Sequence, residues 1–82
     1  MSRSHYLPSR NTLSNMYQSN RETILELHLK DINEEIAGLK SGYIIVTDGR
    51  GKAHHLKLAN ARRRHVLKVA KEFDYEVPEQ AA

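Results

Sequence analysis

The sequence predicts a small single domain of the α+β class, ordered strand, helix, strand, strand, helix behind a basic N-terminal extension. Three observations lead to this prediction. Apolar and polar residues alternate from Leu25 to Lys30, Asp31 and Glu34 form a capping box for a helix, and a glycine-rich turn at residues 48–51 separates two apolar runs. The chain has only 82 residues and no cysteine. A domain of this size has a thin core that packing alone must stabilise, so we expect a homodimer.

The first strand is predicted where Leu25, Leu27 and Leu29 alternate with charged or polar neighbours, and the helix that follows ends at Gly42. A different interpretation reads the same stretch as one long helix. Its apolar residues would then form a heptad seam, spaced 4-3-4-3, that could pair in a dimer: Leu25, Leu29, Ile32, Ile36 and Leu39. The capping box favours the strand followed by a helix, because a single long helix leaves Asp31 in mid-span.

The second half of the domain is predicted to be a hairpin followed by a helix. Tyr43–Val46 is a β-branched and aromatic run typical of a strand buried on both faces, and Lys52–Leu58 alternates as its partner strand. Asn60 then caps the last helix. The apolar side of that helix is formed by Val66, Leu67, Val69, Ala70 and Phe73.

The predicted organisation has three parts. Residues 1–20 form a basic extension, or contain a short helix from about Asn11 to Gln18 capped by Ser9 or Asn11. Residues 21–76 form the α+β domain. Residues 77–82 form an acidic tail.

Charge is distributed unevenly along the chain. The formal net charge is +3, yet residues 50–71 hold eight of the thirteen basic residues and no acid, whereas residues 22–48 hold six acids and two lysines. A window this cationic projects a positive potential and favours a polyanionic partner. The pattern therefore predicts binding to nucleic acid or, as an alternative, to an acidic protein surface.

The candidate contacts to nucleic acid lie in this basic window. Guanidinium groups bind phosphate through paired hydrogen bonds, and an anion would offset the positive dipole at a helix start. Aromatic residues do not interleave with the cations, so duplex DNA is favoured over single strands. The predicted binding residues are Arg50 and Lys52 at the hairpin tip, Lys57 on the strand, and Arg62, Arg63, Arg64 and Lys68 on the last helix.

Catalytic and metal sites are not predicted. His54 and His55 are adjacent on the predicted strand and would point to opposite faces, so they could not share one ion. We expect no cofactor and no enzymatic activity. Because no stretch approaches the roughly 20 apolar residues of a membrane span, we expect a cytoplasmic protein with no membrane partner.

The segment from about Thr23 to Asp74 resembles the Phd/YefM family of antitoxins. The resemblance rests on three stretches: DINEEIAGLKSG as a short capped helix, YIIVTDGRGKAHHLKL as a hairpin with a basic turn, and ANARRRHVLKVAKEF as the helix after it. It implies a dimer that binds operator DNA and represses its own gene.

If residues 34–41 were instead a strand, the chain would be similar to a small Sm-like β-barrel of the Hfq or Rho-inhibitor kind, with an N-terminal helix. That resemblance implies RNA or an RNA-binding protein as the partner. The sequence thus predicts a small DNA-binding regulator, with an RNA-binding barrel and an inhibitor or adaptor that binds an acidic protein surface as alternatives.

Overall fold

The computed structural model describes residues 7–77, and within this range the protein consists of three helices. They are α1 (Arg10–Ser14), α2 (Gln18–Ser41) and α3 (Lys52–Glu72). The structure is 70% helical and has no strand or sheet among the described residues. The predicted α+β fold is therefore wrong, and so is the alternative Sm-like barrel. The strand, helix and hairpin order that the resemblance to Phd/YefM antitoxins implies is likewise not found.

The predicted first strand and the helix after it are one continuous helix, α2. Leu25, Leu29, Ile32 and Leu39 are all at most 5% exposed and form one face, as the rejected heptad interpretation had it. A capping box contributes about 1 kcal/mol, whereas full burial of each leucine contributes about 1.5–3 kcal/mol. The apolar seam therefore outweighs the capping signal, and Asp31 lies in the helix interior.

The predicted strand Lys52–Leu58 forms the first two turns of α3. This stretch contains no β-branched residue, and its lysines, alanine and leucines are good helix formers. Asn60, predicted as the N-cap of the last helix, lies exposed in its middle, and the helix begins instead after Gly51. Gly51 has a φ of 92°, a conformation that residues other than glycine rarely adopt.

Residues 42–51 connect α2 to α3 without regular structure. Gly42 ends α2 in the left-handed conformation, with φ 84°, as the sequence predicts. Tyr43 and Ile45 are 88% and 79% exposed, so the prediction of a strand buried on both faces is wrong. A strand needs a neighbour to pair with, and the stretch predicted to be that neighbour is helical.

Helices α2 and α3 run antiparallel and enclose the core. The contacts run in opposite directions along the two helices: Arg62, in the middle of α3, contacts Glu35, and Tyr75, just after α3, contacts Glu26 nearer the start of α2. The shared core contains Leu13 of α1, three residues of the α2 seam and four residues of α3: Ala59, Val66, Val69 and Ala70. The heptad seam that could have paired two chains is thus occupied by α3 of the same chain.

The short helix α1 closes one end of this hairpin. Ser9 caps it by accepting a hydrogen bond from the Thr12 N–H, and Leu13 is fully buried. Arg21 of α2 donates to the Leu13 carbonyl at 2.8 Å and stacks over the Phe73 ring at 4.6 Å. One side chain therefore links the end of α1 to the end of α3.

Helix α3 ends in a Schellman motif. The Tyr75 N–H donates to the Ala70 carbonyl and the Asp74 N–H to the Lys71 carbonyl, with Asp74 in the left-handed region at φ 57°. This turn directs the Tyr75 hydroxyl to Glu26 of α2. The hydrogen bond to that carboxylate is the main cause that raises the pKa of Tyr75 to about 12.

The predicted boundary at residue 20 falls inside α2, which already begins at Gln18. Residues 1–6 and 78–82 lie outside the described residues, and so does nearly all of the predicted acidic tail. None of the helices in residues 7–77 is long and apolar enough to cross a membrane.

Candidate nucleic-acid interface

The outer face of α3 carries a continuous basic stripe. Its members are Lys57, Arg64, Lys68 and Lys71, and all four are exposed. They lie 7, 11 and 14 residues along the helix from the first, which places them within about 60° of arc and along about 21 Å of helix axis. The buried residues of α3 occupy the opposite side, so the stripe follows directly from the way the core orients the helix.

The outer face of α3 is otherwise small or neutral. Ala53, Asn60 and Ala61 are exposed between the cations, and residues 50–71 contain no acid. Side chains of this size allow a close approach of the helix backbone to a partner surface. The stripe thus combines positive charge with small side chains between the cations.

The predicted arginine triplet is divided by the fold. Arg62 donates from Nη2 to Oε1 of Glu35 at 2.6 Å, and Arg63 donates from Nε to Oδ1 of Asn33 at 3.0 Å. Both partners lie on α2, so these two arginines cross-link the helices. Arg64 alone of the three is exposed on the stripe. The triplet also lies in the middle of α3, about three turns after its start, rather than in the predicted first turn of the last helix.

Arg50 and Lys52 lie at the N-terminal end of α3 rather than at a hairpin tip. Asp48 holds this end of the connection, because its carboxylate accepts from the Arg50 N–H at 3.0 Å and contacts Nε2 of His55 at 2.7 Å. Both hydrogen bonds lower the pKa of Asp48, and the bond from the Arg50 backbone N–H has the larger effect. Arg50 and Lys52 are both exposed, but Lys52 is about 140° around the helix from Lys57. They form a separate cationic group at the end of the helix.

Lys71 and Asn60 lie on the exposed face but are not among the residues that the sequence predicts to bind nucleic acid. The spacing of 57, 64, 68 and 71 marks one helical face, but only if the helix is extended back to Lys52. The absence of β-branched residues from 52 to 58 was the signal that could have shown this.

His54 and His55 do not form a metal site with the acidic residues of the described part of the chain. His54 and His55 are in edge-to-face contact with ring centroids 5.5 Å apart, and Nε2 of His54 is buried without a hydrogen-bond partner. Within residues 7–77 there is no group of three His, Asp or Glu side chains that could hold a metal ion.

Comparison of the chain with protein-family models found no match. Comparisons with curated proteins and with solved structures also found no match.

Proposed function

We propose that this protein is a small DNA-binding regulator that contacts duplex DNA through the outer face of α3. The observation that carries the proposal is the basic stripe. An α-helix with its side chains is about 10–12 Å across, which matches the roughly 12 Å width of the DNA major groove. The stripe places four cations along about 21 Å of such a helix, and the nearest acid on α3, Glu72 at its end, pairs with Arg10.

Duplex DNA fits this face better than RNA or single strands. The major groove of an RNA duplex is too deep and narrow for a helix, and single-strand binding relies on stacking platforms of exposed aromatics. The outer face of α3 has no aromatic residue. Its groups are those that bind phosphates and base edges in the major groove.

Two residues of the face could read bases. Asn60 and Arg64 are one helical turn apart and both exposed. Asparagine pairs with adenine and arginine with guanine through two hydrogen bonds each, and such a pair discriminates by about 1–3 kcal/mol. Phosphate contacts would come from the lysines on either side of them.

The experiment is a salt series of binding to a fluorescently labelled duplex of about 25 base pairs, followed by anisotropy. We expect Arg64→Gln with Lys68→Gln to weaken binding and to reduce the slope of log K against log salt by about 0.9, since Lys68 contacts a phosphate in this arrangement and Arg64 a base edge. The matched control, Lys30→Gln with Lys40→Gln, removes two exposed lysines from α2 and should leave the slope nearly unchanged.

A second comparison separates binding from folding. Arg62→Gln with Arg63→Gln breaks contacts to α2 and should lower the urea midpoint of unfolding while the salt slope stays near that of the wild type. Equal loss of binding in the stripe variant and the lysine control would mean that only net charge matters. No binding to any duplex at 50 mM salt would reject the proposal and leave an acidic protein as the partner of the stripe.

A further inference from the structure

A groove of about 590 Å³ is lined by α2, by the connection that follows it and by His55 and Arg62 of α3. Its floor contains apolar side chains from α2 and the connection, including Ile32, Leu39, Ile44 and Val46. Tyr43 and Ile45 also line it and are 88% and 79% exposed. Exposed β-branched and aromatic side chains concentrated around one concavity are typical of a surface that binds another molecule.

The groove is held in shape at both of its ends. Ile44 packs directly against the helix backbone at Gly38, and its N–H donates to the Gly38 carbonyl at 3.0 Å. At the other end, Asp48 binds the Arg50 N–H and the His55 ring. The apolar segment is therefore fixed beside α2, so the groove exists before any partner arrives.

The charge of the groove is negative. Four carboxylates line it, against one guanidinium and two histidines: Asp31, Glu34, Glu35 and Asp48, with Arg62, His28 and His55. Arg62 pairs with Glu35, and Glu34 is exposed at the rim. The surrounding residues 22–48 carry six acids and two lysines. This field attracts a cationic ligand and repels an acidic one.

We propose that this groove binds a short cationic amphipathic segment of a partner protein. Apolar side chains of that segment would enter the groove beside Ile45, and its lysines or arginines would lie against the rim at Glu34. A volume of about 590 Å³ accommodates a few anchoring side chains, as in the binding of an amphipathic helix to a groove.

A second copy of this chain fits the groove less well. Its own cationic surface, the basic stripe of α3, has alanine and asparagine between the cations and a single exposed large apolar neighbour, Leu58, so it offers one apolar anchor rather than several.

The probe is a set of three labelled 14-residue helical peptides with the same leucine pattern and lysine, glutamine or glutamate at every polar position. We expect the lysine peptide to bind most tightly and the glutamate peptide to show no binding up to 1 mM. Chemical-shift mapping on the wild-type protein should place the lysine peptide on residues 43–48 and the adjacent turns of α2.

Matched variants test the two components of the groove. Ile45→Ser should weaken binding of the lysine peptide about tenfold, because it removes an apolar contact, whereas Leu27→Ser, exposed on α2 outside the groove, should not. Glu34→Gln should weaken it two- to fivefold and Glu22→Gln should not. Ile45 is mostly exposed, so its variant is expected to fold normally.

The proposal is overturned if the glutamate peptide binds as well as the lysine peptide, if Ile45→Ser and Leu27→Ser bind equally, or if no peptide binds. Self-association that depends on Ile45, measured by sedimentation equilibrium, would assign the groove to a second copy instead. The Arg64→Gln, Lys68→Gln variant should bind the lysine peptide like the wild type. The peptide result is thus independent of the DNA proposal.

Discussion

Replacing Gly38 by alanine tests whether the connection after α2 packs against that helix. Gly38 is a buried residue inside α2, and a Cβ at this position would lie 2.6 Å from Cδ1 and 2.7 Å from Cγ1 of Ile44. Alanine is favoured over glycine in a helix interior by about 1 kcal/mol. Without the Ile44 contact, Gly38→Ala would therefore stabilise the protein by that amount.

With the contact present, the propensity gain is opposed by steric overlap. Inserting a methyl group into a packed site costs about 1–3 kcal/mol. We expect Gly38→Ala to change the free energy of unfolding by between about zero and a loss of 2 kcal/mol in the wild-type background. In an Ile44→Ala background the same change should stabilise by about 1 kcal/mol. The two backgrounds should thus differ by about 1–3 kcal/mol, which is a large coupling for a double-mutant cycle.

The assay is urea unfolding of the four proteins of the cycle, followed by circular dichroism at 222 nm. Ala37→Gly is the control, because Ala37 is exposed on α2 and its replacement should cost about 1 kcal/mol in both backgrounds. A gain of about 1 kcal/mol from Gly38→Ala in both backgrounds would refute the packing of Ile44 against α2, since alanine would then meet no obstacle.

Three further predictions concern the core, the α1 junction and the helix end. Leu25→Ala should cost about 3–5 kcal/mol in urea unfolding, whereas Leu27→Ala should cost less than about 1 kcal/mol because Leu27 is 55% exposed. Arg21→Lys should lower the urea midpoint, because an ammonium cannot donate to both the Leu13 and Met16 carbonyls and stack on the ring of Phe73; an unchanged midpoint would contradict this role. The raised pKa of Tyr75 means that its stabilising contribution is present below pH 10 and lost as pH rises toward 12. Absorbance at 295 nm should therefore show a late tyrosine ionisation near pH 12 that Tyr75→Phe abolishes, and four indistinguishable tyrosines would argue against the bond to Glu26.

The end of α2 and its apolar seam could be read from the sequence, but its start could not. Gly42 was the correct helix end, and the 4-3-4-3 spacing from Leu25 identified the buried face. The alternation at Leu25, Leu27 and Leu29 pointed to a strand, although a helix also accommodates it by leaving Leu27 exposed. Only the burial of the whole seam against α3 decides between them, and that burial depends on contacts distant in sequence.

The prediction of a hairpin in the second half of the domain was wrong for a different reason. The β-branched and aromatic run at residues 43–46 has high strand propensity. A high propensity does not by itself show that a neighbouring strand is available for pairing. The glycine-rich turn at residues 48–51 and the alternation of Lys52–Leu58 predict that this stretch is the partner strand, whereas its composition favours a helix. Because a single strand cannot satisfy its backbone without a neighbour, one wrong assignment produced two wrong strands.

The location of the basic window was visible in the sequence, but the division of its cations between folding and binding was not. Arg62 and Arg63 contact α2 through partners 27 and 30 residues earlier in the chain, and a sequence pattern does not reveal such pairs. Arg64 follows directly but lies 100° further around the helix, which is enough to turn it from the interface to solvent. Loss of all three arginines would therefore remove contacts between the helices together with one surface cation. The exposed stripe, rather than the triplet, is the part of the basic window that a partner can reach without opening the fold.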